Sequence, residues 1–166
     1  GAGLERLAGA AARAAPGLAL DDVVAAARAG RGAVASHGDF HVKNVAPHGR
    51  ATWIVDWDAF AAREPAFDVG DALGQLVVMG SFGHGGRVRG ARAASAFWRA
   101  YRDAGGTAAG PRACVQLARA VLQSVAYKVE LAAAAGDEPP PVAPLVVVAR
   151  AALGADDPAA VLDAVA

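Results

Sequence analysis

The sequence predicts a mainly α-helical domain built around one small β-hairpin, an α+β chain. Three observations carry that expectation. Most stretches between breakers are rich in Ala, Leu and Val, have helix length, and carry Asp or Pro in front and Gly behind. One run, "ATWIVDW" at 51–57, is β-branched and aromatic, and it follows the turn residues Pro47-His48-Gly49-Arg50. Finally, 166 residues with 55% hydrophobic and 19% charged side chains suffice for one buried core and are too apolar for a disordered chain.

The elements follow in order. Residues 3–15, "GLERLAGAAARAA", have helical composition and end at Pro16-Gly17. Asp21 or Asp22 is placed to cap a second helix, "DDVVAAARA", which stops at Gly30-Arg31-Gly32. A short apolar run, "AVAS", then leads into His37-Gly38-Asp39, and "ATWIVDW" is the strand that answers it across the turn. From Pro65 onward the pattern is helical: "PAFDVGDALGQLVVM", with Pro at the first turn. "GSFGHGGRVRG" at 80–90 reads as a flexible loop, with Arg87 and Arg89 near a substrate mouth. It lacks the preceding strand and the Lys-Ser/Thr ending of a phosphate-cradling loop. "ARAASAFWRAYRDAG" spaces Ala93, Phe97 and Tyr101 four apart as a packing face. A long helix, "PRACVQLARAVLQSVAYKVELAAAA", precedes the turn "GDEPPP". "APLVVVARAAL" and "DDPAAVLDAVA" supply the last helices, the second capped by Asp156 or Asp157. No internal repeat is present.

Charge and cysteine content narrow the function classes. Lys plus Arg equals Asp plus Glu at 16 each, so no global field recruits nucleic acid or an anionic membrane, and any anion site is local. Cys114, the single cysteine, has no disulfide or CxxC partner and is expected in the core, which makes a reducing cytoplasm the expected compartment. Glu5, Arg6 and Arg13 interrupt the Ala-rich start, unlike a signal peptide. Apolar segments such as "PLVVVARAAL" are broken well short of a membrane span.

Chemistry concentrates at 36–58, "SHGDFHVKNVAPHGRATWIVDWD". Asp39 and Asn44 lie in the loop after one short strand, and Asp56 lies at the end of the next. Phosphoryl transfer uses such a set: one carboxylate to orient the acceptor hydroxyl, and an amide oxygen with a second carboxylate to hold magnesium against a triphosphate. Magnesium favours hard oxygen ligands, few of them from protein, and the lack of a His/Cys cluster argues against zinc. Taken singly, each Asp is ordinarily a turn or strand-end cap. Lys43 and His48 are expected to face solvent, and helix N-terminal charge accounts for Glu64 and Asp71.

"HGDFHVKN", followed by "IVDWD" and "EPAFDVGDAL", resembles the aminoglycoside phosphotransferase and choline kinase-like family, relatives of protein kinases, over about His37 to Leu73. The resemblance implies an ATP-dependent O-phosphotransferase, with GTP as another possible donor. Its acceptor would be a small-molecule hydroxyl of the antibiotic, choline, homoserine or sugar kind, with no nucleic-acid or membrane partner. It implies Asp39 as the catalytic aspartate, with Asn44 and Asp56 as magnesium (Mg2+) ligands. Asp58 would assist a second metal from the same side of the strand. His41 would lie near the transferred phosphate. His37 would be a buried support that hydrogen-bonds the metal loop, and Asp68 would cap backbone amides of the catalytic loop.

The same resemblance implies a glycine-rich N-terminal lobe with a strand lysine that grips the phosphates. No strand-rich segment precedes Ala35, the only lysines are Lys43 and Lys128, and no initiator Met opens the chain. Residues 1–166 are therefore expected to form one unit, the C-terminal lobe alone, with catalytic and metal loops at 35–60 and a helical substrate side at 65–166. Its missing partner would be the N-terminal lobe of the same parent protein, and the fragment alone would turn over little or nothing. The competing expectation is a pseudokinase-like binding or regulatory domain. An intact Asp39/Asn44/Asp56 set favours the enzyme.

Overall fold

The computed structural model describes residues 20–82 and 86–166. These are mainly helical, with two small antiparallel strand pairs. The helix expected at 3–15 lies outside the described residues. In chain order the elements are α1 (Leu20–Arg28), β1 (Val34–Ser36), a 3-10 turn (Val42–Asn44), β2 (Val45–His48), β3 (Ala51–Ile54), β4 (Ala61–Arg63), α2 (Ala66–Phe82), α3 (Gly86–Asp103), α4 (Gly110–Ala135), α5 (Ala143–Leu153) and α6 (Pro158–Val165). Helix α1 begins one residue before Asp21, so Asp21 and Asp22 fall within its first turn rather than at its cap.

The single expected hairpin is instead two ladders. β2 pairs with β3 around the two-residue turn Gly49-Arg50, with His48 opposite Ala51. Gly49 has φ +60 and Arg50 does not share that sign, the pattern of a type II′ turn whose twist suits a hairpin. Strand β2 passes through Pro47, which a two-stranded ribbon tolerates because one edge of each strand needs no partner. β1 pairs with β4, with Ala35 opposite Ala62. Strand β4 is three residues of "AAR" and shows neither β-branching nor alternation.

Helix α4, the longest, is the axis of the helical part. α2 and α5 pack along it, and α3 and α6 complete the layer. Leu73 and Val77 of α2 meet Leu117, Val121 and Val125 of α4, Leu145 and Val148 of α5 and Leu162 of α6 in one apolar core. Such side chains each contribute roughly 1.5–3 kcal/mol through burial. Cys114 is fully buried there, and burial pushes its thiol up to about 12, which makes it an inert core residue.

The 80–90 stretch is mostly helix rather than a loop: α2 runs to Phe82 and α3 starts at Gly86. The glycines there serve contact between helices, since a Cβ on Gly80 would come within 2.5 Å of the Gly90 Cα. Arg87 and Arg89 are therefore exposed residues at the start of α3, and neither lines the cleft described below. On α3 the inner stripe is Ala91, Ala94 and Trp98, with Phe97 and Tyr101 only partly covered and Ala93 exposed. Trp98 takes the inner place because its Nε1 finds a partner in Asp157 Oδ1 at 3.0 Å. The same oxygen accepts from Ala159 N at 2.7 Å and caps α6. No helix among the described residues is long and apolar enough to cross a membrane.

Candidate active site

The two ladders are nested. The outer pair β1–β4 closes the segment 37–60, and the inner hairpin β2–β3 lies within it. Residues 37–44 and 55–60 are thereby two antiparallel legs between the ladders. Asp39 and Asn44 lie on the outgoing leg, and Asp56 and Asp58 on the returning one. Val55 N–H donates across to Asn44 C=O at 3.0 Å, and Asn44 Nδ2 donates back to Asp39 C=O at 3.0 Å. Gly38 adopts φ +87 and sits so close to the other leg that a Cβ would be 2.2 Å from Ala59 O. Only glycine fits this crossing.

His37 is buried and spans the legs. Its Nδ1 accepts from Asp39 N–H at 3.3 Å, so the ring proton sits on Nε2, which donates to Val55 C=O at 2.8 Å. Asp68, in the first turn of α2, accepts from the backbone N–H of His37 at 2.6 Å and of Gly38 at 2.9 Å. These two charge-assisted bonds fasten the outgoing leg to the helical core. Asp68→Ala leaves both amides unmet and is expected to cost about 2 kcal/mol in urea denaturation.

Asp56 is the one non-glycine residue with positive φ among the described residues, at 64°. Asp tolerates this left-handed conformation better than most residues, yet it persists only where neighbours fix the backbone. They do so here: Val55 is tied at both N–H and C=O, and Trp57 Nε1 donates to Ile54 C=O at 2.8 Å. Strand β3 ends at Ile54. The strand alternation that would place Asp58 on the same side as Asp56 therefore does not apply, because Asp58 lies in a turn.

Asp39 is exposed, and its Oδ2 lies 3.5 Å from His41 Nε2. His41 Nδ1 accepts from Lys43 N–H at 3.2 Å, which puts the His41 proton on Nε2, facing the Asp39 carboxylate. Lys43 and His48 are exposed. Among the described residues no group of three or more His, Cys, Asp or Glu side chains gathers to hold a metal ion. Asn44 and Asp56 lie on facing legs, joined by the backbone bond from Val55 N–H to Asn44 C=O. Asn44 is buried, and its Nδ2 is engaged by Asp39 C=O, which leaves its Oδ1 as the side-chain atom that could serve as a ligand. One carboxylate and one amide oxygen, with phosphate and water completing the shell, suit magnesium and not zinc.

Asp39 and His41 open onto a cleft of about 630 Å³ between the outgoing leg, α2 and α4. Asp71 lines it, which the helix-charge explanation missed. Its carboxylate pairs with Arg119 at 2.6 Å, and burial, outweighing Arg119, pushes it up to about 6, with Asp68 and Asp39 adding repulsion. Glu64 is not a helix-end charge either. It is buried and takes Arg112 in a fork, at 2.9 and 2.6 Å, together with Gln116. Burial pushes Glu64 up, but the hydrogen bonds and charges of Arg112, Gln116 and Arg119 outweigh it and leave the carboxyl lowered. Gln116 in turn receives Arg119, so one polar chain runs from Glu64 to Asp71. The spacing alone marks only one half of this chain: Arg112, Gln116 and Arg119 form a polar stripe at helical spacing, but nothing local names Glu64 and Asp71 as its partners.

The raised Asp71 predicts a pH effect. The folded chain holds more protons than the unfolded one between the ordinary 3.8 and about 6, so raising pH through that window costs stability. Glu64 acts with the opposite sign, its contribution being lost as pH falls, and it is common to both proteins in a comparison with Asp71→Asn. Thermal denaturation should show the wild type losing on the order of 2 kcal/mol relative to Asp71→Asn from pH 4 to 6. Parallel curves would contradict this.

No protein-family model, curated protein or solved structure matches the chain.

Proposed function

We propose that this chain is the catalytic and metal-holding lobe of an O-phosphotransferase that moves the γ-phosphoryl group of ATP to a small-molecule hydroxyl. The observation that supports it best is the cross-linked pair of legs, in which the leg bearing Asp39 and Asn44 is hydrogen-bonded to the leg bearing a left-handed Asp56. Asp39 is the exposed carboxylate at the cleft and orients the acceptor hydroxyl. As the acceptor oxygen bonds to the γ-phosphorus, its proton passes to Asp39 and the bond to the bridging β–γ oxygen breaks, releasing ADP. Asn44 Oδ1 and the Asp56 carboxylate would hold magnesium, which when bound neutralises charge on the β and γ phosphates. His41, whose Nε2 lies 3.5 Å from Asp39 Oδ2, would turn its Nε2–H from that carboxylate to a γ-phosphate oxygen when nucleotide binds. His37 and Asp68 act through the backbone and hold the loop in register.

The resemblance places the nucleotide's other side on a glycine-rich lobe. An exposed apolar rim of Trp53, Ile54, Val55, Trp57 and Phe60 around the inner hairpin supports a covering partner there. Transfer of labelled phosphate from ATP to a panel of small alcohols, by the polypeptide carrying both lobes, tests the reading. Magnesium-dependent labelling of an acceptor is expected. Its absence across amino sugars, polyols, hydroxy acids and choline-like alcohols would overturn it.

A further inference from the structure

The cleft beside Asp39 has a charge pattern that selects among acceptors. Resting on the phosphotransferase reading above, we propose that the acceptor carries an anionic group and is not a polycation. The charged side chains lining the cleft are Asp39, His41, Lys43, Asp71, Arg119 and Lys128. Asp71 and Arg119 satisfy each other at 2.6 Å, so neither offers a free charge to a ligand. Asp39 faces His41 and is committed to the reacting hydroxyl. No carboxylate remains on the walls for an ammonium group. The unspent charges are the two ammoniums: among the described residues, neither Lys43 nor Lys128 pairs with a carboxylate.

Lys128 is the better anchor of the two. It is half-buried on α4, with its Nζ 4.5 Å over the Phe82 ring, which fixes the ammonium against an apolar wall. Ser124, one turn back on α4, and Gln75 of α2 add neutral hydrogen-bonding groups, while Met79 and Phe82 supply apolar surface. A compact hydroxylated molecule fits this arrangement if its carboxylate or phosphate meets Lys128, its carbon face lies on Met79 and Phe82, and one hydroxyl reaches Asp39. A polycation would meet two lysines and no unpaired wall carboxylate, an arrangement that repels it.

The test uses three pyranoses that differ in charge: glucuronate, glucose and glucosamine. Each is titrated into this chain at low salt and followed by NMR shifts of cleft resonances. Glucuronate is expected to bind about five- to tenfold more tightly than glucosamine, with glucose between them, and the difference should shrink with added salt. Lys128→Gln should remove most of the advantage of glucuronate over glucose. Equal or tighter binding of glucosamine would overturn the proposal, as would an undiminished preference in Lys128→Gln. Phosphate-transfer assays separate the two claims. Preferential phosphorylation of a cationic acceptor would sink the charge selection while the kinase reading stands. Anion preference without transfer to any acceptor would sink the kinase reading while the cleft preference stands.

Discussion

Replacing Asp39 by Asn is expected to lower phosphate transfer by about 10²–10⁴-fold without unfolding the protein. The carboxylate is 57% exposed and opens onto the cleft. The structural bonds of this residue run through its backbone instead, with its N–H to His37 and its C=O from Asn44. Asn keeps the size and both backbone bonds but cannot accept the acceptor's proton. The loss should therefore fall on kcat, with the melting temperature unmoved. Single-turnover measurements with labelled ATP read the chemical step directly. A variant with near-normal kcat would remove Asp39 from the proposed role.

Glu64→Ala should produce the largest loss of stability, about 3 kcal/mol in urea unfolding. Removing one partner of a buried ion pair leaves the other charge uncompensated. The Glu64 side chain is only 6% exposed and accepts from both Arg112 and Gln116. Arg112 also donates to the carbonyls of Ala26 and Ala27, so the same carboxylate organises the end of α1. Hydrogen exchange should accordingly show α1 losing protection before α4 does. A change below 1 kcal/mol would mean that the pair only breaks even against its desolvation.

The helices were legible because their signals are local. Pro65 and Pro111 open helices, Asp157 caps one, and apolar residues recur at helical spacing. The second ladder was not legible. β4 is three residues of Ala and Arg, and its place depends on a partner 27 residues away, opposite Val34–Ser36. The glycines at 80–90 misled for a related reason: glycine marks close approach as readily as flexibility, and only the packed helices distinguish the two. Within the site, the Asp39 carbonyl that Asn44 Nδ2 meets and the Gly38 N–H that donates to Asp68 follow from the nested legs. The roles of Glu64 and Asp71 needed the third dimension, because their partners lie 48 residues away on α4.

The central claim is that Asn44 and Asp56 jointly hold a divalent cation against nucleotide phosphates. Manganese, a paramagnetic stand-in for magnesium, tests it on this chain directly. With ATP added at millimolar concentration, broadening of NMR signals should centre on the Asn44 side-chain amide and the Asp56 backbone amide. It should require both metal and nucleotide, and it should disappear in Asp56→Ala. Broadening that is absent, centred elsewhere, or unchanged in Asp56→Ala would contradict the account.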